Sequence, residues 1–125
     1  LIPKIVAHFA EEKHQIELGN TDVSRDFSDV RYVTECYRAL LESGVAGETY
    51  NVCSSVSHSL QDIIATLESM AGYVITVDVN PAFVRENEIK RLQGSSAKLD
   101  AITERTEKIP FADTLAWMYR DTVAR

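Results

Sequence analysis

The sequence predicts an α/β fold in which helices pack on an incomplete sheet. Segments with helical apolar spacing alternate along the chain with short strand-like runs, and this alternation favours at least some parallel pairing. Only about four such runs can be counted, fewer than a doubly wound domain normally carries. The 125 residues, 45% of them hydrophobic, suffice for about one globular domain.

The first 27 residues predict a helix and two short strands. Ile16 and Leu18 alternate with polar neighbours and lead into a Gly-Asn turn, so they predict a strand. The run 23–27 predicts a second extended segment. A helix that ends near Lys13 is predicted before them by apolar residues spaced three and four apart: Ile2, Ile5, Val6 and Phe9.

The middle of the chain predicts a long helix and a buried strand. An apolar stripe over 30–41 predicts the helix, with Ser28 or Asp29 as its N-cap and Gly44 after its end. The β-branched and aromatic residues over 49–53 predict the strand.

Two further helices and one strand are predicted in the second half. The apolar spacing over 60–70 predicts a helix, which Ser57 or Ser59 can cap. The alternating run 74–79 predicts a strand that stops at an Asn-Pro pair, because proline removes a ladder donor. The last helix is predicted over 110–122.

The composition excludes several classes of partner. Thirteen Lys and Arg against 19 Asp and Glu give a formal net charge of −6, so no nucleic-acid partner is expected. No apolar stretch approaches the roughly 20 residues that span a bilayer, and no leader pattern is found, so we expect a cytoplasmic chain with no membrane partner. Cys36 and Cys53 fall in apolar patterns, as core thiols in a reducing compartment do. The three histidines lack metal-ligand spacing, so no metal is expected.

Common cofactor and catalytic motifs are not found in the sequence. The five glycines never form the close spacing of a dinucleotide loop, and none of the five tyrosines has Lys four residues later. Ser54, Ser55, Ser57 and His58 could suggest a nucleophile and a base, but neighbours this close rarely face one another productively, so caps and turns explain them better. We assign no catalytic residue to this chain.

Three polar segments suggest a binding site. Arg25 interrupts an apolar alternation and needs a partner there, which could be Asp26 or Asp29 within the chain. Arg85 and Glu88 are one helical turn apart and can face the same object, although a solvated charge run has the same pattern.

Lys4 lies away from the apolar face of the first helix and alone would be an ordinary surface lysine. Together with Arg25, Arg85 and Glu88, however, it would suit a ligand that carries phosphates and a ribose. A guanidinium matches phosphate oxygens, a carboxylate accepts both hydroxyls of a ribose, and added cations offset the diphosphate charge. The set therefore favours a nucleoside-diphosphate site.

Longer runs of sequence resemble a known family. The runs GNTDVSRDFSDVR at 19–31 and GETYNVCS at 47–54 resemble the C-terminal half of extended short-chain dehydrogenases that act on nucleotide-sugars. They are most similar to the GDP-4-keto-6-deoxy-mannose reductases, with the GDP-mannose 4,6-dehydratases next. Arg85-x-x-Glu88 is similar to the family's Arg-x-x-Glu element, and the resemblance covers most of the chain. Departures are Ser95, where the family usually has aspartate, and the run 103–110, which replaces a Gly-Trp-x-Pro segment.

The resemblance implies a role for each candidate residue. Arg25 and Arg85 would contact the diphosphate and Glu88 the ribose hydroxyls, while Lys4 would lie near the nucleotide. Residues 1–125 would be the C-terminal nucleotide-sugar-binding region of an extended Rossmann-type enzyme. Within it, about 28–54 would add a helix and a strand to the upstream dinucleotide-binding sheet.

The resemblance also implies what lies outside this chain. The glycine-rich loop and the catalytic Ser/Thr and Tyr-x-x-x-Lys residues would lie upstream, so NADP or NAD would be bound mainly there. The full-length protein would be an NAD(P)-dependent enzyme and a homodimer with a GDP-sugar as substrate. A dehydratase, an NDP-sugar epimerase and a non-catalytic interaction domain remain alternatives to the reductase.

Overall fold

The computed structural model describes residues 1–84, 87–103 and 107–125. The helices in these ranges are α1 (Ile2–Ala10), α2 (Val30–Ser43), α3 (Leu60–Ala71), α4 (Ala97–Asp100) and α5 (Phe111–Val123). The strands are β1 (Gln15–Leu18), β2 (Ser24–Asp26), β3 (Ser57–Ser59), β4 (Thr76–Val79) and β5 (Arg91–Leu92), and a 3₁₀ turn spans Pro81–Phe83. The predicted α/β class is confirmed.

The strands form two small sheets. In the first, β1 and β4 are parallel, with Glu17 beside Asp78. In the second, β2 lies between β3, which is antiparallel to it, and β5, which is parallel. Arg25 in β2 is therefore flanked by His58 and Leu92. The predicted partial parallel pairing is confirmed.

The main core lies between helices α1, α3 and α5 and the first sheet. Phe9, Ile5 and Leu67 are fully buried there, as are Ile16 and Leu115. The spacing that predicted α1 and α3 is thus the spacing of their buried faces. This core holds α1 against β1, and both elements contribute to the site described below.

A smaller core forms under α2. Tyr32 and Cys36 of this helix pack with Leu99 of α4, so Cys36 is a core thiol as predicted. Cys53 is half-buried, and its Sγ lies only 2.6 Å from where a Cβ on Gly94 would be. Glycine at position 94 therefore permits the close approach of these two segments.

The helix ends follow the expected cap chemistry. Ser59 and Asp62 form a capping box at the start of α3, and Gly72 ends that helix at φ 80°. Asp29 caps α2 by accepting a hydrogen bond from the backbone N–H of Arg31. Ser59 and Asp29 thus resolve the two pairs of alternatives that the sequence left open.

Several predictions are wrong in detail. Residues 49–53 form no strand and are exposed or half-buried, because no described segment pairs with their backbone. On α2, the predicted stripe residues Tyr37 and Leu41 are exposed, the latter by 90%. The first helix ends at Ala10 rather than near Lys13. The short elements β3, β5 and α4 were not predicted.

Candidate nucleotide-binding pocket

A cavity of about 450 Å³ opens between α1, the ends of β1 and β2, and the 3₁₀ turn. Three of the four predicted site residues line it: Lys4, Arg25 and Glu88. They come from three distant parts of the chain, and the packing of α1 on β1 and the β3-β2-β5 sheet brings them together. The cavity also has an aromatic wall formed by Phe27 and Phe83.

Arg25 is held at the base of this pocket by backbone carbonyls. Its Nη1 donates to the carbonyl of Ser24 at 2.9 Å and lies 3.5 Å from that of Lys90. Its side chain is 27% exposed. These hydrogen bonds to uncharged carbonyl oxygens fix the position of the guanidinium, and its charge is partly offset by Glu88, the acid beside it in the pocket.

Glu88 is the acidic neighbour of Arg25. Its Oε1 lies 3.6 Å from Nη2 of Arg25, which is an ion pair too long for a good hydrogen bond. Its Oε2 is buried and has no hydrogen-bond partner among the described residues. A buried carboxylate oxygen without a donor is costly, so a ligand that supplies hydroxyl donors would stabilise it.

Lys4 reaches the pocket from α1. Its Nζ donates to the backbone carbonyl of Glu17 at 2.8 Å and lies 5.6 Å from the centre of the Phe83 ring. The ammonium group is therefore fixed at the rim beside an aromatic face. This placement is more specific than that of an ordinary surface lysine.

Arg85 lies outside the described residues, as does its neighbour Glu86. Its predicted contact with a diphosphate stays a prediction. The described neighbour Glu88 lies in the pocket.

The internal partners considered for Arg25 are engaged elsewhere. Asp26 accepts hydrogen bonds from the backbone N–H groups of Ser54, Ser55 and Gly94. Asp29 is buried and bonded to Arg31, whose guanidinium holds the pKa of that carboxyl well below its usual range. The alternative of an internal pair is therefore wrong in its partners, Asp26 and Asp29, since the acid that the structure places beside Arg25 is Glu88.

The serines near His58 have structural hydrogen bonds. Ser54 Oγ donates to Asp26 and accepts from the backbone N–H of Val56, and Ser55 Oγ pairs with Ser96 Oγ at 2.8 Å. The sequence interpretation of caps and turns agrees with these contacts.

Glu17, His58 and Phe83 are among the lining residues that sequence reasoning missed. Glu17 follows from strand alternation, since Ile16 and Leu18 are buried and Glu17 faces outward. His58 was missed because the serines around it suggested a turn rather than a strand that pairs with β2. No sequence signal places Phe83, whose carbonyl oxygen lies only 2.6 Å from where a Cβ on Gly19 would be.

Residues 1–118 match the family model described as GDP-mannose 4,6 dehydratase. The chain belongs to this family. Its predicted relationship to the nucleotide-sugar epimerases and dehydratases is thereby confirmed.

Curated relatives lie within the same group of enzymes. The GDP-6-deoxy-D-mannose reductase of Pseudomonas aeruginosa is 34% identical over 114 residues, which are 91% of this chain and 38% of that protein. The GDP-6-deoxy-D-talose 4-dehydrogenase of Aggregatibacter actinomycetemcomitans is 31% identical over 79% of this chain and 34% of its own length. The chain thus spans about two fifths or less of these relatives.

Solved structures agree in fold. A crystal structure of a protein from Burkholderia cenocepacia J2315 matches the whole chain at 50% identity with a TM-score of 0.97, over 41% of its own length. The structure of RMD from Pseudomonas aeruginosa complexed with NADPH matches 99% of the chain at 30% identity, with a TM-score of 0.91 over 42% of that protein. The α/β arrangement of this chain is therefore that of the matching part of these structures.

The described part of the chain contains no helix that is both long and apolar enough to cross a membrane.

Proposed function

We propose that this chain is the nucleotide-sugar-binding C-terminal region of an NAD(P)-dependent enzyme that modifies GDP-sugars, and that the enzyme is a GDP-4-keto-6-deoxy-mannose reductase. The observation that supports the proposal is the convergence of Lys4, Arg25 and Glu88 on one pocket. The curated reductase relative supports the substrate class. In this proposal the full-length enzyme is cytoplasmic and a homodimer.

Each pocket residue has a defined task in the proposal. Arg25 binds the diphosphate through its guanidinium, because charge-assisted hydrogen bonds to phosphate are strong and directional. Glu88 accepts hydrogen bonds from the ribose hydroxyls at the oxygen that has no described partner. Arg85 adds a second cation to the diphosphate, and Lys4 lies at the nucleotide. Binding energy from these remote groups would orient the sugar for reaction.

The sequence of this chain carries no motif for binding a nicotinamide cofactor. A dinucleotide site requires closely spaced glycines, which the sequence does not contain. The proposal therefore assigns NADP or NAD binding and the catalytic residues to the rest of the full-length protein. The related structure described as complexed with NADPH supports a nicotinamide cofactor for the enzyme.

The open face of α2 supports the proposed contact with an upstream domain. A cavity of about 960 Å³ is lined by α2, by residues 44–53 and by Arg25. Tyr37 and Val45, which line it, and Leu41 elsewhere on α2 are all more than half exposed. In the proposal, residues 28–54 complete the dinucleotide-binding sheet, which would pair with the backbone of 49–53 and cover these side chains.

Isothermal titration calorimetry of the full-length protein with GDP tests the proposal. Arg25→Ala should weaken GDP binding by about 1.5–3 kcal/mol, or roughly 10- to 150-fold, because it removes a charge-assisted phosphate contact. Arg120→Ala is the matched control, since Arg120 is an exposed arginine on α5 outside the pocket. Equal GDP affinity in the wild type and the Arg25 variant would refute the proposal and favour an interaction domain.

The talose 4-dehydrogenase relative and the name of the family model favour a second group of activities on the same substrate class. Analysis of the substrate consumed and the product formed distinguishes the reductase from a 4,6-dehydratase. A reductase consumes the 4-keto-6-deoxy GDP-sugar together with NADPH, whereas a 4,6-dehydratase converts GDP-mannose to that keto sugar without net consumption of cofactor.

A further inference from the structure

The rim of the pocket at the end of β1 combines a hydrogen-bond donor, an acceptor and an aromatic ring. Glu17 and Lys4 line it together with Phe83. The Lys4 ammonium is fixed by its hydrogen bond to the backbone carbonyl of Glu17. The rim therefore carries a hydrogen-bond donor, the ammonium, and an acceptor, the side-chain carboxylate of Glu17. The Phe83 ring, 54% exposed, supplies an aromatic face beside them.

The Glu17 carboxylate is only partly engaged. Its Oε2 accepts a weak hydrogen bond of 3.4 Å from the side-chain amide of Asn80. Its neighbour in the parallel register is Asp78, another acid, which accepts from Gln15. Two carboxylates side by side on adjacent strands repel, and both receive neutral amide donors rather than a cation. A ligand that brings N–H donors to Glu17 would therefore be favoured.

We infer that Glu17 sets the base specificity of the pocket by accepting hydrogen bonds from the N1–H and 2-amino groups of guanine, while Lys4 donates to O6. This inference rests on the proposed function, because it requires a nucleotide in the pocket. Guanine presents one acceptor beside two donors on its Watson–Crick edge, which is the complement of an ammonium beside a carboxylate. The exposed ring of Phe83 offers the base a stacking surface.

The same arrangement discriminates against other bases. Uracil presents a second carbonyl where guanine has its amino group, so that oxygen would face the carboxylate. Adenine presents an amino group to the Lys4 ammonium, which has no acceptor to offer. Hypoxanthine differs from guanine only by the missing 2-amino group, so IDP is the sharpest probe. A site built around a hydrogen bond rejects an analogue that lacks the partner group.

Calorimetry of the full-length protein with GDP, IDP and UDP tests the inference. The wild type should bind GDP at least about tenfold more tightly than IDP, since one hydrogen bond to a charged acceptor is lost. Glu17→Gln keeps the shape but leaves one uncharged acceptor oxygen for the two N–H groups of guanine, so the GDP-to-IDP affinity ratio should fall well below that of the wild type. Asp78→Asn is the matched control, because it changes the adjacent carboxylate, which does not line the pocket, and should keep the wild-type ratio.

The outcomes separate this inference from the proposed function. A wild-type ratio near one, or an unchanged ratio in Glu17→Gln, would overturn the role of Glu17 even if Arg25→Ala still weakens GDP binding. If Arg25→Ala leaves GDP affinity unchanged, the proposed diphosphate site itself fails. A GDP-to-IDP affinity ratio that falls in Glu17→Gln but keeps its wild-type value in Asp78→Asn would support the inference.

Discussion

Asp26 offers a direct test of how β2, the strand that carries Arg25, is joined to its neighbouring segments. Each of its carboxylate oxygens accepts two hydrogen bonds. Oδ1 accepts from the backbone N–H and the hydroxyl of Ser54 at 2.9 and 2.6 Å, and Oδ2 from the N–H groups of Ser55 and Gly94 at 2.9 and 3.3 Å. One side chain thus joins β2 to the segments before β3 and after β5. We expect Asp26→Asn to loosen both of them.

The magnitude follows from the geometry. In the less costly orientation of the introduced amide, its NH₂ group replaces Oδ1, where the Ser54 hydroxyl can accept from it; the hydrogen bond from the Ser54 N–H is lost, and the two at the other oxygen are weakened because that oxygen is no longer charged. At about 1.5 kcal/mol for the lost hydrogen bond and about 0.75 kcal/mol for each weakened one, the loss is about 3 kcal/mol, or roughly a hundredfold in the opening equilibrium. Hydrogen-exchange mass spectrometry of the full-length protein measures this change in the opening equilibrium. Peptides that contain Ser54, Ser55 and Gly94 should exchange faster in the variant by about this factor.

Asp22→Asn provides the control for this measurement. Asp22 pairs with Lys90 at 3.3 Å, and both side chains are more than three-quarters exposed. Such a pair contributes little, so exchange in the same peptides should match that of the wild type. Unchanged exchange in Asp26→Asn would refute the view that this carboxylate joins the two segments.

Two further predictions concern Asp29 and Gly19. The pKa of Asp29 is lowered in the folded state, chiefly by its hydrogen bonds from Arg31, so its contribution to stability is present above the unfolded pKa of about 4 and is lost as the pH falls from there towards the folded pKa. Urea denaturation between about pH 2 and pH 6 should show a shallower pH dependence for Asp29→Asn, and parallel curves would contradict the assignment. Gly19→Ala should weaken GDP binding, because its methyl group would collide with the Phe83 backbone and displace the aromatic wall. Gly72→Ala, which is strained at φ 80° but meets no neighbour, should lower stability and leave GDP affinity unchanged, as calorimetry can check.

Local patterns determined most of the helices. The buried faces of α1 and α3 follow apolar spacing, and Ser59 and Gly72 mark the ends of α3, because caps and periodicity act within a few residues. The same reasoning failed for 49–53. A buried strand exists only where a partner backbone pairs with it, and none of the described segments does so.

Only the tertiary structure decided which charged residues share a pocket. The sequence identified Arg25 and Glu88 as candidates but allowed Arg25 to pair with Asp26 or Asp29, and nothing local could exclude that pairing. The sheet places Arg25 beside Glu88, while the other two acids bind backbone groups and Arg31. Convergence of residues more than 60 positions apart depends on strand register and helix packing, which are long-range interactions that composition and spacing do not encode.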